Sequence, residues 1–233
     1  MQANIFNMNM KNNGFTLIEL IIAVFTAGFI ALGIYASINM AQRSSASVGR
    51  KVVTQQDARA VLDLMALEIR MASYNPTSST SIWTSIPACA SMNIALAKAN
   101  KGIQTASGST DANTIVIAMD LNGDSIIGPP GTSEYIEYSY NGADTITRNV
   151  NCSGDTAILG GAGSATMVRN NSAGVSVFQF FDSSGNVTTS IPAIRRIRIT
   201  IVADTESNDN LSTKARRMTY TTDVLVPNHV LSP

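Results

Sequence analysis

The hydrophobic pattern of the chain is dominated by an apolar run that starts near Phe15. Between Glu19 and Arg43, 23 consecutive residues carry no charged side chain. A helix needs about 20 such residues to cross the hydrocarbon core of a bilayer, whereas a helix of a soluble domain is usually apolar on one face only. The run therefore predicts a transmembrane helix over residues 15–42.

After this run, hydrophobic residues continue at helical spacing along a single face. The predicted stripe consists of Val48, Val52, Gln55, Ala58, Leu62, Met65, Ile69 and Ala72. No proline interrupts the pattern before Pro76, so one continuous helix is predicted from about Phe15 to Tyr74, roughly 90 Å long at 1.5 Å per residue. The alternative is two helices that break in the serine-rich stretch 44–47, because serine has a modest helix propensity.

From residue 76 onward, the pattern changes to the alternation that is typical of half-buried strands. Six strands are predicted: Asn113–Met119, Glu134–Tyr140, Asp144–Val150, Val175–Phe181, Ile194–Val202 and Arg216–Val226. Asn141 and Gly142 mark a hairpin, and residues 93–100 fit either a short helix or a strand. The predicted fold class is α+β, with one antiparallel sheet that packs one face on the long helix and exposes the other to solvent.

The composition narrows the classes of function. The chain has 233 residues, with 16 Lys and Arg balanced by 16 Asp and Glu, so its charge favours no nucleic-acid partner. The residues after position 76 are numerous enough for one domain with its own core. A single histidine and the lack of any zinc-binding cysteine pattern argue against a catalytic triad or a zinc site. We therefore expect a protein that is not an enzyme.

One stretch has the residue types of a calcium loop. Asp120, Asn122 and Asp124 place oxygen side chains at alternate positions just after a predicted strand, and calcium loops begin with hard oxygen ligands at this spacing. The stretch departs from the EF-hand pattern at its sixth and twelfth positions, so Glu134, or Glu137 on the next strand, would have to supply the missing carboxylate. The alternative is a polar connection in which Asp and Asn favour the turn.

Two cysteines, Cys89 and Cys152, fall in the β-rich region. In an exported domain, a single pair indicates a disulfide more often than a metal site. The alternative is a pair of free thiols, since the distance between them is not given by the sequence.

Three further groups of residues have an interpretation of their own. Five arginines would form a basic patch if their strands are neighbours, although a solvated sheet face also explains them: Arg195, Arg196, Arg198, Arg216 and Arg217. His229 is predicted to be a solvated residue. Phe180 and Phe181 are adjacent, so they point to opposite faces of a strand. Either one of them is exposed for a subunit contact, or the second face of the sheet is covered.

The start of the apolar run carries the most specific motif. Thr16 and Glu19 fit a capping box, in which each side chain bonds to the other residue's backbone. A carboxylate inside an apolar segment otherwise indicates a functional partner, because it is costly in lipid. The whole string, Gly14-Phe15-Thr16-Leu17-Ile18-Glu19-Leu20, resembles the cleavage and methylation signature of type IV prepilins and of the related type II secretion pseudopilins.

The resemblance implies a processing and assembly route. A membrane-bound prepilin peptidase would cut after Gly14 and methylate the new N-terminus at Phe15, so residues 1–14 would be a leader that is removed. Thr16 and Glu19 would belong to the assembly segment. Glu19 would neutralise the N-terminal ammonium of an adjacent subunit, and such a pair is far less costly to bury than either charge alone.

The resemblance also implies a pilin-like architecture. Residues 15–42 would be the transmembrane and filament-core helix, 43–75 its amphipathic continuation, and 76–233 a β-rich exported head domain. Several relatives hold calcium in a head-domain loop, which would fit Asp120, Asn122, Asp124 and Glu134. The stretches Ile194–Ile199 and Arg216–Asn228 resemble minor pilins of the PilW kind and pseudopilins of the J kind.

The expected function is that of a minor type IV pilin. Such a protein would be stored in the inner membrane by a single span, would be processed by prepilin peptidase, and would then join other pilins in a surface or periplasmic filament, which it would initiate or cap. One alternative is a type II secretion pseudopilin. An alternative of another class is a single-span membrane protein that never polymerises and whose outer domain binds calcium or a ligand.

Overall fold

The computed structural model describes residues 14–84, 100–104, 109–128, 131–205 and 217–229. Contacts within the chain divide it into two units, Met1–Gly49 and Arg50–Pro233. We call them the N-terminal unit and the head unit and take them one at a time.

One helix, α1, spans Leu17–Arg70. The prediction of a continuous helix is confirmed, and the alternative of a break at 44–47 is wrong. The helix ends earlier than Tyr74 because Ser73 adopts a left-handed conformation with a φ of 65°. The backbone N–H of Ser73 then bonds to Ala118 rather than to the preceding turn, at 2.9 Å.

The part of α1 that belongs to the head unit buries one face. Its buried apolar residues are Ala58, Val61, Leu62, Met65 and Ile69. They follow the three- and four-residue spacing of an amphipathic helix, as the sequence predicted. Val48 and Val52, the first two members of the predicted stripe, are exposed instead, so the buried face starts later than the sequence pattern does.

The first sheet is an antiparallel meander of five strands. Its strands, in spatial order, are β1 (Ile103–Gln104), β2 (Thr114–Ala118), β3 (Tyr135–Tyr140), β4 (Ile146–Val150) and β5 (Asp155–Leu159). The predicted hairpin at Asn141 and Gly142 joins β3 to β4, with Tyr140 opposite Ile146. Neighbouring strands of this sheet are also neighbours in the chain. Short turns connect β3 to β4 and β4 to β5, whereas a longer segment separates β2 from β3.

The second sheet has four antiparallel strands. They are β6 (Thr166–Val168), β7 (Phe178–Phe181), β8 (Arg196–Thr205) and β9 (Arg217–Leu225). The long strand β8 pairs with β9 from Arg196 to Asp204. It also pairs with β7 near its start and with β6 near its end. Short helical segments lie at Ile82–Thr84, Asn170–Ala173 and Ile191–Ala193.

The predicted α+β class is confirmed, but the prediction of a single sheet is wrong. The strands β1, β5 and β6 were not expected from the sequence, and β5 and β6 flank a glycine-rich segment that reads as a loop. The predicted strand Val175–Phe181 begins at Phe178. These short strands are edge elements or lie beside turns, where the alternation that identifies a strand is weak.

The hydrophobic core of the head unit lies between α1 and both sheets. A second cluster covers the other face of the first sheet: Ile82, Trp83, Val116, Ala118, Ile127 and Tyr135. The expectation that this second face is solvated is therefore wrong for the first sheet. The cause is that β2, with the sequence Thr-Ile-Val-Ile-Ala, is apolar on both faces and must be covered on both.

A partly buried ion pair connects α1 to the first sheet. Arg148 of β4 donates to both carboxylate oxygens of Glu68, at 2.7 and 3.1 Å. The hydroxyl of Tyr138 on β3 donates to the same carboxylate. Burial raises the pKa of Tyr138 above its usual value, and the bond to Glu68 raises it further. A bidentate pair of this kind fixes orientation as well as contact.

Candidate functional site

The signature residues lie at the start of α1. Gly14 and Phe15 precede the helix, and the Phe15 side chain is exposed. The backbone N–H and the hydroxyl of Thr16 both donate to the Glu19 carboxylate, at 2.9 and 2.8 Å. The Glu19 N–H in turn reaches the Thr16 hydroxyl at 3.4 Å. This geometry is the reciprocal capping box, so the carboxylate stabilises the first turn of its own helix.

The apolar segment that follows does not bury its hydrophobic surface within the chain. All large apolar side chains from Phe15 to Met40 are exposed. Its polar groups bond within the helix, as when Thr26 donates to the Ile22 carbonyl at 2.8 Å and Ser37 donates to the Gly33 carbonyl at 2.9 Å. Among the described residues, α1 is the one helix long and apolar enough to cross a membrane. Satisfying polar groups internally is what lipid requires of a spanning segment.

The four predicted calcium ligands lie together in the connection between β2 and β3. Asp120 and Glu134 are fully buried, whereas Asn122 and Asp124 are exposed. The Asp120 carboxylate accepts the backbone N–H groups of Gly123 and Ser125, at 2.7 and 3.0 Å. The Asx turns of this loop are made by Asn122 and Asp124, whose side-chain oxygens accept the backbone N–H groups of Asp124 and Ile126, at 3.0 and 2.7 Å.

Glu134 closes the same loop from its other end. Its carboxylate accepts backbone N–H groups from Leu121, Asn122 and Gly128, and the hydroxyl of Thr132. The positive ends of these dipoles stabilise both buried carboxylates locally. Within the described part of the chain, no group of three or more His, Cys, Asp or Glu could hold a metal ion. The geometry supports the alternative of a self-closed polar turn, and calcium binding there stays a prediction.

The cysteine prediction can be followed at one end only. Cys152 lies after β4 in a left-handed conformation and belongs to a disulfide. Cys89 lies outside the described residues. Residues 93–99, which belong to the segment predicted as a helix or a strand, also lie outside them. The pairing of Cys89 with Cys152 therefore stays a prediction.

Three arginines of the predicted basic patch, Arg196, Arg198 and Arg217, form ion pairs. Arg196 and Arg198 share the carboxylate of Asp223 on β9, at 2.6 and 2.8 Å. Both guanidinium groups also lie over the ring of Phe181, which explains why this outward-pointing ring is buried. Since Phe180 is buried as well, exposure of either ring for a subunit contact is wrong. The two arginines cover Phe181 on a face of the sheet that is otherwise partly exposed.

The remaining arginines of the predicted patch have different partners. Arg195 donates to the backbone carbonyls of Pro192, Ile194 and His229, while Arg217 pairs with Asp204 at 3.4 Å. Arg216 lies outside the described residues.

The prediction that His229 is solvated is wrong, because only 2% of its surface is exposed. Its Nδ1 pairs with the Ser73 hydroxyl, and its Nε2 pairs with the Ile191 carbonyl, both at 2.8 Å. The same hydroxyl accepts the N–H of Gly102 at 3.1 Å. Burial lowers the pKa of His229 to about 4, so the ring is neutral near pH 7. The cluster ties the helix end to the C-terminal segment, and no sequence motif marks it.

Two family models match the chain. The model of the prokaryotic N-terminal methylation motif covers residues 9–35, which include the string from Gly14 to Leu20. The model of prepilin peptidase-dependent protein B covers residues 48–224, well over half of the 233 residues. No curated protein matches the chain, and no solved structure matches it.

The methylation motif and the apolar helix together define a processed, type IV pilin-like protein with a membrane-anchoring segment. Within that class, the chain belongs to the family of prepilin peptidase-dependent protein B. The predicted superfamily is thereby confirmed, and so is a prepilin peptidase as the processing partner. The closer resemblance to pilins of the PilW kind and pseudopilins of the J kind stays a prediction.

Proposed function

We propose that the chain is a minor type IV pilin that waits in the inner membrane and then joins a filament. The observation that supports the proposal is that a processing signature directly precedes an apolar helix. The large apolar side chains from Phe15 to Met40 are all exposed. Apolar surface of this extent is stable either in lipid or against other protein. A filament built from such helices supplies the second environment. The proposed role is structural, with no catalysis by the chain.

Glu19 has two roles in this proposal. In the single subunit, the Glu19 carboxylate accepts hydrogen bonds from Thr16. These bonds stabilise the carboxylate before the subunit leaves the membrane. During assembly it neutralises the N-terminal ammonium that cleavage creates on a neighbouring subunit. The opposite charges make burial of both groups acceptable in apolar surroundings, and they favour one axial stagger between subunits. The chain then initiates or caps the filament with other pilins as its partners.

Processing is tested by the intact mass and the N-terminal sequence of the membrane-extracted protein. The expected mature chain begins at N-methylated Phe15. A Gly14→Ala variant should keep residues 1–14, whereas Gly28→Ala is the matched control, since a Cβ at Gly28 meets nothing within 4 Å. A wild-type chain that retains residues 1–14 would contradict the proposal.

Assembly is tested by the recovery of the chain in sheared filaments. Glu19→Gln should be processed normally but should be depleted from the filaments, because the neutral amide leaves the neighbour's ammonium unpaired. Asp63→Asn is the control, as it removes an exposed carboxylate from the same helix. If Glu19→Gln enters filaments as well as the wild type does, the ion-pair mechanism is wrong.

A further inference from the structure

A pocket of about 490 Å³ lies in the head unit where three segments of the chain meet. It is lined by residues that follow α1, by Lys101 in the turn before β1, and by Pro227 and Asn228 of the C-terminal segment. We call it the junction pocket. Because its lining comes from segments that are far apart in the sequence, no sequence motif marks it.

Hydroxyl groups, amides and aromatic rings line the junction pocket. Tyr74 and Trp83 contribute the rings, Asn75 and Asn228 contribute the amides, and the Ser-Ser-Thr stretch 78–80 adds hydroxyls. Among the described residues of the lining, none is Asp or Glu. Sites for hard divalent cations are built largely from carboxylates, so this lining does not favour a metal ion as the ligand.

Hydrogen bonds fix several of the groups that line the junction pocket. The Ser73 hydroxyl pairs with the buried ring of His229 at 2.8 Å and accepts the N–H of Gly102 at 3.1 Å. The side-chain amide of Asn75 donates to the Ser79 carbonyl at 2.9 Å. Groups that are held in place before a ligand arrives lose little further freedom on binding, which favours affinity.

Three residues that line the junction pocket have a left-handed backbone conformation, which residues other than glycine rarely adopt. They are Ser73, Ser78 and Lys101, with φ values of 65°, 54° and 53°. Half of the six non-glycine residues with a positive φ in the described part of the chain therefore line this one pocket. Such conformations cost free energy and cluster at ligand-binding sites. The backbone thus points to a ligand independently of the side-chain chemistry.

A saccharide matches the lining better than an apolar molecule or a simple anion does. Each sugar hydroxyl both donates and accepts hydrogen bonds, as the hydroxyl and amide groups of the pocket do. The C–H groups of a sugar ring can pack against aromatic rings. An apolar ligand would leave the amides and hydroxyls unpaired, and inorganic phosphate would make no use of the rings. The pocket volume is in the usual range of small-molecule sites.

We propose that the junction pocket binds a saccharide unit, whose hydroxyls bond to the amides of Asn75 and Asn228 and whose C–H groups pack against Tyr74 and Trp83. This binding is a further function of the head unit and does not depend on filament assembly. Bacterial polysaccharides and the glycans of animals and plants share the chemistry that the pocket requires, so the experiment must distinguish these two sources.

A glycan array probed with the purified full-length chain tests the inference. The chain is kept in lauryldimethylamine oxide, a detergent without a sugar head group. One set of spots carries fragments of bacterial polysaccharides, and the other set carries animal and plant glycans. We expect binding to saccharides that share one sugar unit, with competition by the same sugar free in solution, and the set that is bound identifies the source. Binding to no saccharide of either set would overturn the inference.

The fluorescence of Trp83 gives a second readout, because the single tryptophan of the chain lines the pocket. Titration with the bound sugar should change this fluorescence and reach saturation. Asn228→Ala should weaken the affinity by about tenfold, as expected for the loss of one hydrogen bond. Its denaturation midpoint should not change, since Asn228 is exposed. Asn186→Ala is the matched control, because Asn186 is also exposed but does not line the pocket.

Two results of the titration would overturn the inference. Equal affinities of Asn228→Ala and the wild type would mean that the sugar binds elsewhere. An equal fluorescence response to sodium phosphate would mean that the pocket is a site for simple anions. Both measurements use the isolated chain, so the inference can fail while the pilin role stands, and the pilin role can fail while the pocket still binds a sugar.

Discussion

The two units of the chain differ in whether their apolar side chains are exposed or buried. In the N-terminal unit, large apolar side chains stay exposed and the polar bonds are local, as between Thr16 and Glu19. In the head unit, apolar side chains form a common core, and the buried polar bonds join residues far apart in the chain, as between Ser73 and His229. The first unit leaves its apolar surface exposed, whereas the second buries its apolar surface within the chain. Substitutions should therefore separate processing and assembly from the stability of the head.

The largest effect on stability is expected from Gly102→Val. A Cβ at Gly102 would collide with the backbone of Ser73 and Ala118, which cannot rotate away as a side chain can. We expect a loss of about 3 kcal/mol or more in the free energy of unfolding. The measurement is chemical denaturation in detergent, followed by the fluorescence of Trp83, the single tryptophan of the chain.

A glycine of the N-terminal unit provides the control for this prediction. Gly49→Ala adds a methyl group to an exposed helical position with nothing within 4 Å. It should leave the head unchanged, or stabilise the helix by up to about 1 kcal/mol. Equal denaturation midpoints for Gly102→Val and the wild type would mean that the close approach of the three backbone segments is not required.

The next effect is expected from Glu68→Ala. Removal of the carboxylate leaves Arg148 and the Tyr138 hydroxyl without their acceptor in a partly buried place, at a cost of about 3 kcal/mol. Asp63→Ala, at an exposed position of the same helix, should cost little. The double variant Glu68→Ala with Arg148→Met should be more stable than the sum of the single losses, because no charge remains unpaired. Simple additivity would show that the pair is not coupled.

The third prediction concerns pH and the only histidine. Burial lowers the pKa of His229 from 6.5 to about 4 in the folded protein, so the unfolded chain takes up a proton first as the pH falls. The stabilising contribution is complete above about pH 6.5, declines by about 1.4 kcal/mol per pH unit toward pH 4, and declines no further below that. Denaturation curves between pH 4 and 7 measure this slope.

His229→Gln serves as the reference for the pH profile. Its amide can still take part in hydrogen bonds but does not titrate. The variant should be nearly independent of pH above about pH 5, where most carboxylates are ionised. If the variant keeps the slope of the wild type, other groups cause the pH dependence and the buried histidine does not.

The comparison of the two units also explains what could be predicted from the sequence. The signature, the apolar run and the capping box depend on residues within a few positions of one another, so all three could be predicted from the sequence. The strands β3 and β4 could also be predicted, because the Asn141-Gly142 turn fixes their hairpin. By contrast, β5 is an exposed edge strand in which only Leu159 is buried, so its sequence has almost no alternation to detect.

The misjudged residue of the head, His229, has partners that are remote in the chain. His229 bonds to Ser73 and Ile191, and nothing near it in the sequence marks burial. The calcium interpretation of Asp120 and Glu134 stays a prediction, but the bonds of their carboxylates to backbone N–H groups could not be predicted, because no pattern of side chains reveals them. The coverage of the first sheet on both faces could have been predicted, because the strand Thr114–Ala118 has apolar residues on both of its faces.

The smallest effect is expected from Asp223→Asn, on the exposed face of the second sheet. The bonds from Arg198 and Arg196 hold the pKa of Asp223 below its usual range, so its contribution is present at neutral pH and is lost as the pH falls below about 4. Because about a third of the side chain is exposed, solvent screens the pairs and the loss should be about 0.5–1 kcal/mol. Denaturation at low and high salt measures it, with Asp63→Asn as the control. The difference between the two variants should shrink at high salt. A loss as large as that of Glu68→Ala would mean that membership of the head unit, rather than burial, decides how much an ion pair contributes.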